Sequence, residues 1–154
     1  MSNPYNIAQA VKDADVVISS VLVPGRRTPI LVTDDMVRTM RKGSVLIDVA
    51  IDQGGAISFI DRITTHADPY FIKEGIVCYS VANMPGAVPN TATHALTNVT
   101  LPYAVKIANL GAEGACKADQ AIMKGLNTYK GYLTYKGVAD AQPDKTYTDP
   151  STLF

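Results

Sequence analysis

Two aspartates sit inside an otherwise apolar run, Leu46-Ile47-Asp48-Val49-Ala50-Ile51-Asp52-Gln53-Gly54-Gly55. A carboxylate at such a position can move a proton or stabilise a developing positive charge. Val45–Ile51 reads as a strand buried on both faces, as at the centre of a parallel sheet. Gly54 and Gly55 end it with backbone that can turn sharply and approach a ligand closely. In an open α/β sheet, ligands bind outside the carboxyl ends of the strands, where Asp52 falls. Local sequence leaves two readings open for Asp52, an active-site carboxylate or a loop cap. His66 and His94 are the only histidines, one in a loop and one inside a long helix, and both read as structural or solvated. Cys78 and Cys116 follow no metal spacing and read as free thiols, Cys78 as a small buried residue in a strand.

The elements that must position Asp52 follow from capping and periodicity. Asn3-Pro4 opens a helix carrying Ile7, Val11 and Ala14 on one face. Val16–Val23 is a second apolar run, stopped by Pro24-Gly25, with Arg26, Arg27 and Pro29 in an exposed loop. Thr33-Asp34-Asp35 starts a second helix, with Met36, Val37 and Met40 as its buried stripe and Gly43 as its stop. Ile76–Val81 reads as a third strand. Helices alternating with strands imply a parallel α/β arrangement. The connection from Gly55 to Gly75 reads as a long functional loop with a weak strand signal at Phe59–Ile63. Thr91 is expected to cap a long helix running toward Asn109, kinked by Pro102 and ended by Gly111. A shorter helical piece covers Asp119–Lys124. The repeated Thr-Tyr-Lys-Gly at Thr128 and Thr134 suggests a short strand or hairpin, and the end after Ala141 is expected to be loosely held.

Three strands make a thin sheet, and nothing here matches G-x-G-x-x-G; Gly111-Ala112-Glu113-Gly114 follows a helix and has the wrong spacing. The pattern is therefore α/β, the second half of a Rossmann-type parallel sheet followed by C-terminal helices. Residues 1–89 are expected to form that half-domain and residues 90–154 a helical segment. Its first strand lacks the neighbours that would cover its edge. Within 154 residues, 47% are hydrophobic and 18% charged, an ordinary globular composition. Lys+Arg and Asp+Glu both number 14, so no field of one sign draws in nucleic acid or a membrane surface. No signal peptide or membrane span is read, and the expected location is cytoplasmic.

Four segments together resemble bacterial alanine dehydrogenase: Val21-Leu22-Val23-Pro24-Gly25, Asp48 through Gly55, Thr64-Thr65-His66, and Val81-Ala82-Asn83-Met84-Pro85-Gly86-Ala87-Val88-Pro89. Nicotinamide nucleotide transhydrogenase α-subunits share the fold and some of these motifs. The resemblance runs from Ser2 to about Ala141 and covers only the C-terminal two-fifths or so of the family's usual length. It implies NAD-dependent oxidation of L-alanine to pyruvate and ammonia. Val21, Leu22 and Val23 would line the nicotinamide-ribose side of the NAD cleft, and Val49 would lie against the nicotinamide. Asp52 would be the catalytic carboxylate beside the reacting carbon. Asn83 and Met84 would stand near nicotinamide, with Asn83 also near substrate. No metal is implied, and family members are commonly hexamers.

The resemblance also defines what is not here. The family's catalytic histidine, its substrate-binding arginine and lysine, and its glycine-rich phosphate turn lie in parts without a counterpart in this sequence. Ser58 stands where the family usually has glutamate, Phe59 where a small polar residue is common, and Asn90 where arginine often follows. Met1-Ser2-Asn3-Pro4 matches an internal stretch of the family, so the expected start is an internal methionine of a longer frame. Two functional readings follow. In one, the chain is the C-terminal part of an alanine dehydrogenase, inactive alone and completed by an N-terminal fragment. In the other, it is a non-catalytic remnant, at most an NAD-binding or oligomerisation module.

Overall fold

The computed structural model describes residues 3–142 and 144–154, so Met1 and Ser2, which carry part of the expected internal-start match, lie outside the described residues. Asn3 accepts the Asn6 N–H at 2.8 Å and Pro4 occupies the first turn, so helix α1 runs Pro4–Asp13 as its capping chemistry dictates. Strand β1 (Val16–Ser19) follows. Thr33 then caps helix α2 (Asp34–Val37), accepting the Met36 N–H at 3.4 Å. This helix is shorter than the sequence suggests. The Thr39 hydroxyl and N–H both bond the Met36 carbonyl, at 2.7 and 3.1 Å, turning the chain out of the α-helix. The expected stripe nevertheless holds, with Val37 and Met40 buried.

Strand β2 (Val45–Asp48) pairs in parallel with β1, Val16 opposite Val45 and Ser19 opposite Asp48. Strands β3 (Tyr70–Lys73) and β4 (Ile76–Tyr79) complete a sheet of order β1-β2-β4-β3, in which β2 and β4 are parallel and β3 and β4 antiparallel. The sequence reading missed β3. Its hairpin turns at Glu74-Gly75, where φ is 50° and 84°, the paired positive values of a type I′ turn. Val11, Val37, Leu46, Ile57, Phe59, Phe71, Ile76 and Cys78 pack as one core. Burial holds the Cys78 thiol up at about 11 against an ordinary 9.0.

Two expectations are corrected here. β2 ends at Asp48 rather than Ile51, and it is buried on one face only: Leu46 and Asp48 point inward while Val45 and Ile47 are half-buried. Val16, Ile18, Tyr70 and Ile72 on the outer strands are exposed. Next, no strand forms at Phe59–Ile63, and part of the expected loop after Gly55 packs into the core. Ala56, Ile57, Phe59 and Ile60 are buried, so this segment supplies core side chains that the missing crossover helix would otherwise provide. Ser58 donates its hydroxyl to Asp34 at the start of α2, and Lys73 Nζ lies 4.7 Å from the Phe59 ring centroid, which gives both departures a structural role.

The chain divides into two units, one through Val23 with Arg27–Ala87, the other Pro24–Arg26 with Val88–Phe154. In the second, helix α3 (Pro89–Ala118) begins at a proline with no side-chain cap, so Thr91 lies inside the helix rather than capping it. Backbone angles stay helical through Pro102, and the break falls at Gly111 (φ 69°, ψ 172°). Asp119 caps helix α4 (Gln120–Gly125) through the Ala121 N–H at 2.8 Å. The expected hairpin is β5 (Thr128–Tyr129) with β6 (Tyr132–Leu133), turned at Lys130-Gly131, both at positive φ. The second Thr-Tyr-Lys-Gly instead leads into α5 (Lys136–Ala141), where Arg26 and Lys136 both pair with Asp140. The tail is tied back: Thr148 N–H bonds the Leu133 carbonyl at 2.9 Å and Phe154 stacks edge-on against Tyr129. Among the described residues no helix is long and apolar enough to cross a membrane.

Candidate active site at the strand ends

β1 and β2 end side by side, with the Val49 N–H bonding the Ser19 carbonyl at 2.8 Å. Beyond this point the chain leaves the sheet because Asp48 draws it away. The Asp48 side chain, fully buried, accepts the N–H groups of Ala50 (3.0 Å), Ala56 (2.8 Å) and Ile57 (3.2 Å). A strand residue is thereby converted into the hub of a loop. Ala50 adopts the bridge conformation (φ −85°, ψ 9°), and Ile51–Gln53 forms one turn of 3₁₀ helix. Gly54 (φ 98°) and Gly55 (φ 70°) then return the chain to the core. A Cβ on Gly54 would meet the Arg27 side chain at 2.7 Å, and one on Gly55 would meet Asp48 Oδ2 at 3.0 Å. Both glycines are needed at this loop for backbone angle, and Gly55 also for space beside the buried Asp48.

Asp52 sits on the 3₁₀ turn and stays exposed. Its Oδ2 accepts the Asn83 N–H at 3.3 Å, so the loop after β2 and the loop after β4 meet through this carboxylate. Asn83 has φ 52°, a left-handed conformation that Asn tolerates better than most residues. Its carbonyl accepts the Gly86 N–H at 2.8 Å and faces His66 Nε2 at 3.1 Å. Met84 opens the following 3₁₀ turn, Met84–Ala87.

The remaining expected residues divide. Val21, Leu22 and Val49 line one shallow recess of about 210 Å³ with Ser20, Ala50 and Gln53. Leu22 is 61% exposed and Val49 44%, unusual for such side chains at the ends of core strands. Val23 is half-buried and does not line the recess. Asp52 and Asn83 are joined by their hydrogen bond. The loop cap anticipated as one reading of Asp52 is instead Asp48, four residues earlier. One signal could have found it: Asp48 shares inward parity with Leu46, and a charged residue there must satisfy its oxygens internally. The role of His66 had no local signal, because its partner lies 17 residues away. Among the described residues, no three His, Cys, Asp or Glu side chains come together as a metal site.

Comparison with known proteins gives consistent findings. The family described as "Alanine dehydrogenase/PNT, C-terminal domain" matches residues 1–136. Alanine dehydrogenase of Lysinibacillus sphaericus is 56% identical over 142 residues, spanning 92% of this chain and 38% of that protein. Alanine dehydrogenase 2 of Staphylococcus aureus (strain USA300) is 59% identical over 141 residues, with the same shares covered. A solved L-alanine dehydrogenase superposes with a TM-score of 0.74 at 50% identity, covering 93% of this chain and 39% of that one. A transhydrogenase from Sinorhizobium meliloti superposes at 0.52 with 28% identity, covering 59% of this chain and 26% of the other. This chain thus spans 38% of the length of the curated relatives it matches.

Proposed function

Because this chain belongs to the alanine dehydrogenase/PNT C-terminal domain family, we propose that it is the C-terminal part of an alanine dehydrogenase. In this reading it converts L-alanine, NAD and water to pyruvate, ammonia and NADH only when joined by the N-terminal portion. Residues 90–154 would then pack on the substrate domain. The observation that carries the reading is the exposed Asp52 carboxylate, tethered to the Asn83 N–H and borne on the same loop as an open apolar recess.

The recess suits one end of the cofactor. About 210 Å³ accepts a nicotinamide ring but falls below the roughly 300–1,000 Å³ of a pocket enclosing a whole larger ligand. Val21, Leu22 and Val49 would flank the ring, an apolar contact that holds it without competing for its amide. No glycine-rich turn for the pyrophosphate occurs in these residues, so the rest of NAD must be held by the N-terminal portion. NAD, when bound, takes the hydride that leaves the alanine Cα. The chain's own contribution is proton handling. Asp52 would take a proton from the water adding to the imino carbon, return it to the nitrogen, and take the hydroxyl proton as the C–N bond breaks, ammonia leaves and the pyruvate carbonyl forms. The Asn83 N–H holds one carboxylate oxygen in place while this happens.

The test is complementation. This chain mixed with the N-terminal portion of an alanine dehydrogenase is expected to form NADH in an alanine-dependent way. Asp52→Asn is expected to lower that rate about 10²–10⁴-fold, the usual worth of a general acid–base group. A folded, stoichiometric mixture with no activity overturns the reading. Saturable NAD binding by the mixture without alanine-dependent NADH formation marks the chain as a non-catalytic NAD-binding module instead.

A further inference from the structure

His66 sits on a segment strapped along the end of β4. Thr64 N–H bonds the Ser80 carbonyl at 3.0 Å, and Ser80 N–H returns to Thr64 Oγ1 at 3.2 Å. The Ser80 hydroxyl donates to the Arg62 carbonyl at 2.8 Å, and that of Thr64 donates to the Pro69 carbonyl at 2.9 Å. Thr65 and Asp68 then exchange two bonds, each 3.2 Å, which close a tight turn with His66 on it. The imidazole is therefore delivered to a fixed place. Its Nε2 lies 3.1 Å from the Asn83 carbonyl, an atom that can only accept, so Nε2 must carry the proton. That carbonyl also takes the Gly86 N–H at 2.8 Å. A Cβ on Gly86 would stand 3.1 Å from His66 Nε2 and 3.3 Å from Asn83 Nδ2, so the absence of a side chain there makes room for the contact.

The two sides of Asn83 are thus engaged in opposite directions, its carbonyl by His66 and Gly86 and its N–H by Asp52. We propose that His66 is a positioning residue for Asp52. Its Nε2–H pins the Asn83 carbonyl, and so the residue's backbone, in the left-handed conformation that aims the Asn83 N–H at the Asp52 carboxylate. His66 bonds the Asn83 carbonyl and not Asp52, and it does not line the recess, so it acts through Asn83. The inference rests on the reading of Asp52 as the working carboxylate, but the mechanical coupling can be measured without any reaction.

The experiment has two arms. In the first, the Asn83 amide resonance of the full isotopically labelled chain is followed by NMR. Asp52→Asn sets the size of the shift when the carboxylate acceptor is changed. Gln places its amide nitrogen near the ring Nε2 position, whereas Asn reaches only as far as Nδ1. His66→Asn is therefore expected to move the Asn83 amide comparably, and His66→Gln to leave it near its original position. Gly86→Ala, which keeps the histidine but crowds the contact, is expected to move the same resonance. An Asn83 amide unmoved by both His66→Asn and Gly86→Ala overturns the proposal. In the second arm, the complemented enzyme is assayed. His66→Asn is expected to lower kcat about tenfold with KM for alanine nearly unchanged, below the roughly 100-fold cost of a 1 Å misplacement at a reacting group. His66→Gln should recover most of it. Loss of activity in Asp52→Asn with none in His66→Asn overturns the inference and leaves the functional reading standing. Full activity in Asp52→Asn overturns that reading and the inference with it.

Discussion

Asp48 and Asp52 lie one helical turn apart in sequence, on the same short stretch, and have opposite fates. Asp48 is fully buried and takes three backbone N–H groups, those of Ala50, Ala56 and Ile57. Asp52 is exposed and takes one, from Asn83, which lies 31 residues away. The buried carboxylate builds the loop, and the loop carries the exposed carboxylate to the strand ends. A fully buried carboxylate with three of its roughly four acceptor positions committed to the fold has little capacity left for a substrate. One held by a single contact is oriented and still chemically available. The difference is in hydrogen-bond partners and burial, since the residue type is the same.

Removing each side chain should separate the two roles most sharply. Asp48→Ala leaves three buried N–H groups without an acceptor, and at about 1–3 kcal/mol each, with some relaxation, about 3–5 kcal/mol of stability should go. Asp52→Asn in the same urea or thermal unfolding measurement should stay within about 0.5 kcal/mol, as exposed substitutions do. Equal losses in the two variants would break the comparison. The activity ordering should reverse wherever the fold survives.

The two carboxylates also show how far the sequence could be read. The position of β2, the helix starts at Asn3 and Thr33, and the meeting place of the strand ends follow from rules that act over a few residues. Those rules singled out Asp52 because glycines mark the loop, and they left open whether it caps that loop or works in a site. Asp48 was passed over because a single aspartate within an apolar run looks like part of the strand until its partners, eight and nine residues later, are known. β3 was missed because Glu-Gly is a weaker hairpin signal than Asn-Gly, and because Pro69 at its start argued for loop. The burial of β2 on both faces was overstated, since an apolar strand shows which residues want cover and not whether cover is present in the same 154 residues. His66 needed the tertiary structure outright.

A smaller effect tests how tightly the loop is fitted around Asp48. Gly55 (φ 70°) and Gly43 (φ 89°) both have left-handed backbone, but a Cβ on Gly55 meets Asp48 Oδ2 at 3.0 Å while one on Gly43 meets nothing within 4 Å. Gly43→Ala should cost about 1–2 kcal/mol for the backbone angle alone. Gly55→Ala should cost roughly 1 kcal/mol more, within the usual range for strained positions. Identical losses by thermal unfolding would mean that Asp48 yields easily and is not the rigid hub described.

The smallest effect extends the comparison to a third carboxylate, held by a cation instead of by backbone. Asp61 accepts from Lys73 Nζ at 2.8 Å, and this hydrogen bond holds its carboxyl below the ordinary 3.8. A carboxyl with a lowered folded-state pKa contributes stability that is complete above the unfolded value and is lost as pH falls through the folded one. The acid limb of the stability curve should therefore extend below pH 3.8 in the native sequence and flatten there in Lys73→Met. Lys73 also donates to the Phe59 carbonyl at 2.9 Å, so the slope with pH is the informative quantity, not the absolute loss. Asp61 is about half exposed, and its ion pair should weaken in about 1 M salt, where the Debye length is roughly 3 Å. The penalty of Asp48→Ala should not weaken, because buried N–H dipoles are beyond the reach of mobile ions. A salt response in the Asp48 variant as large as that of the Lys73 variant would mean that water reaches the Asp48 carboxylate, and the division between building and working carboxylates would not hold.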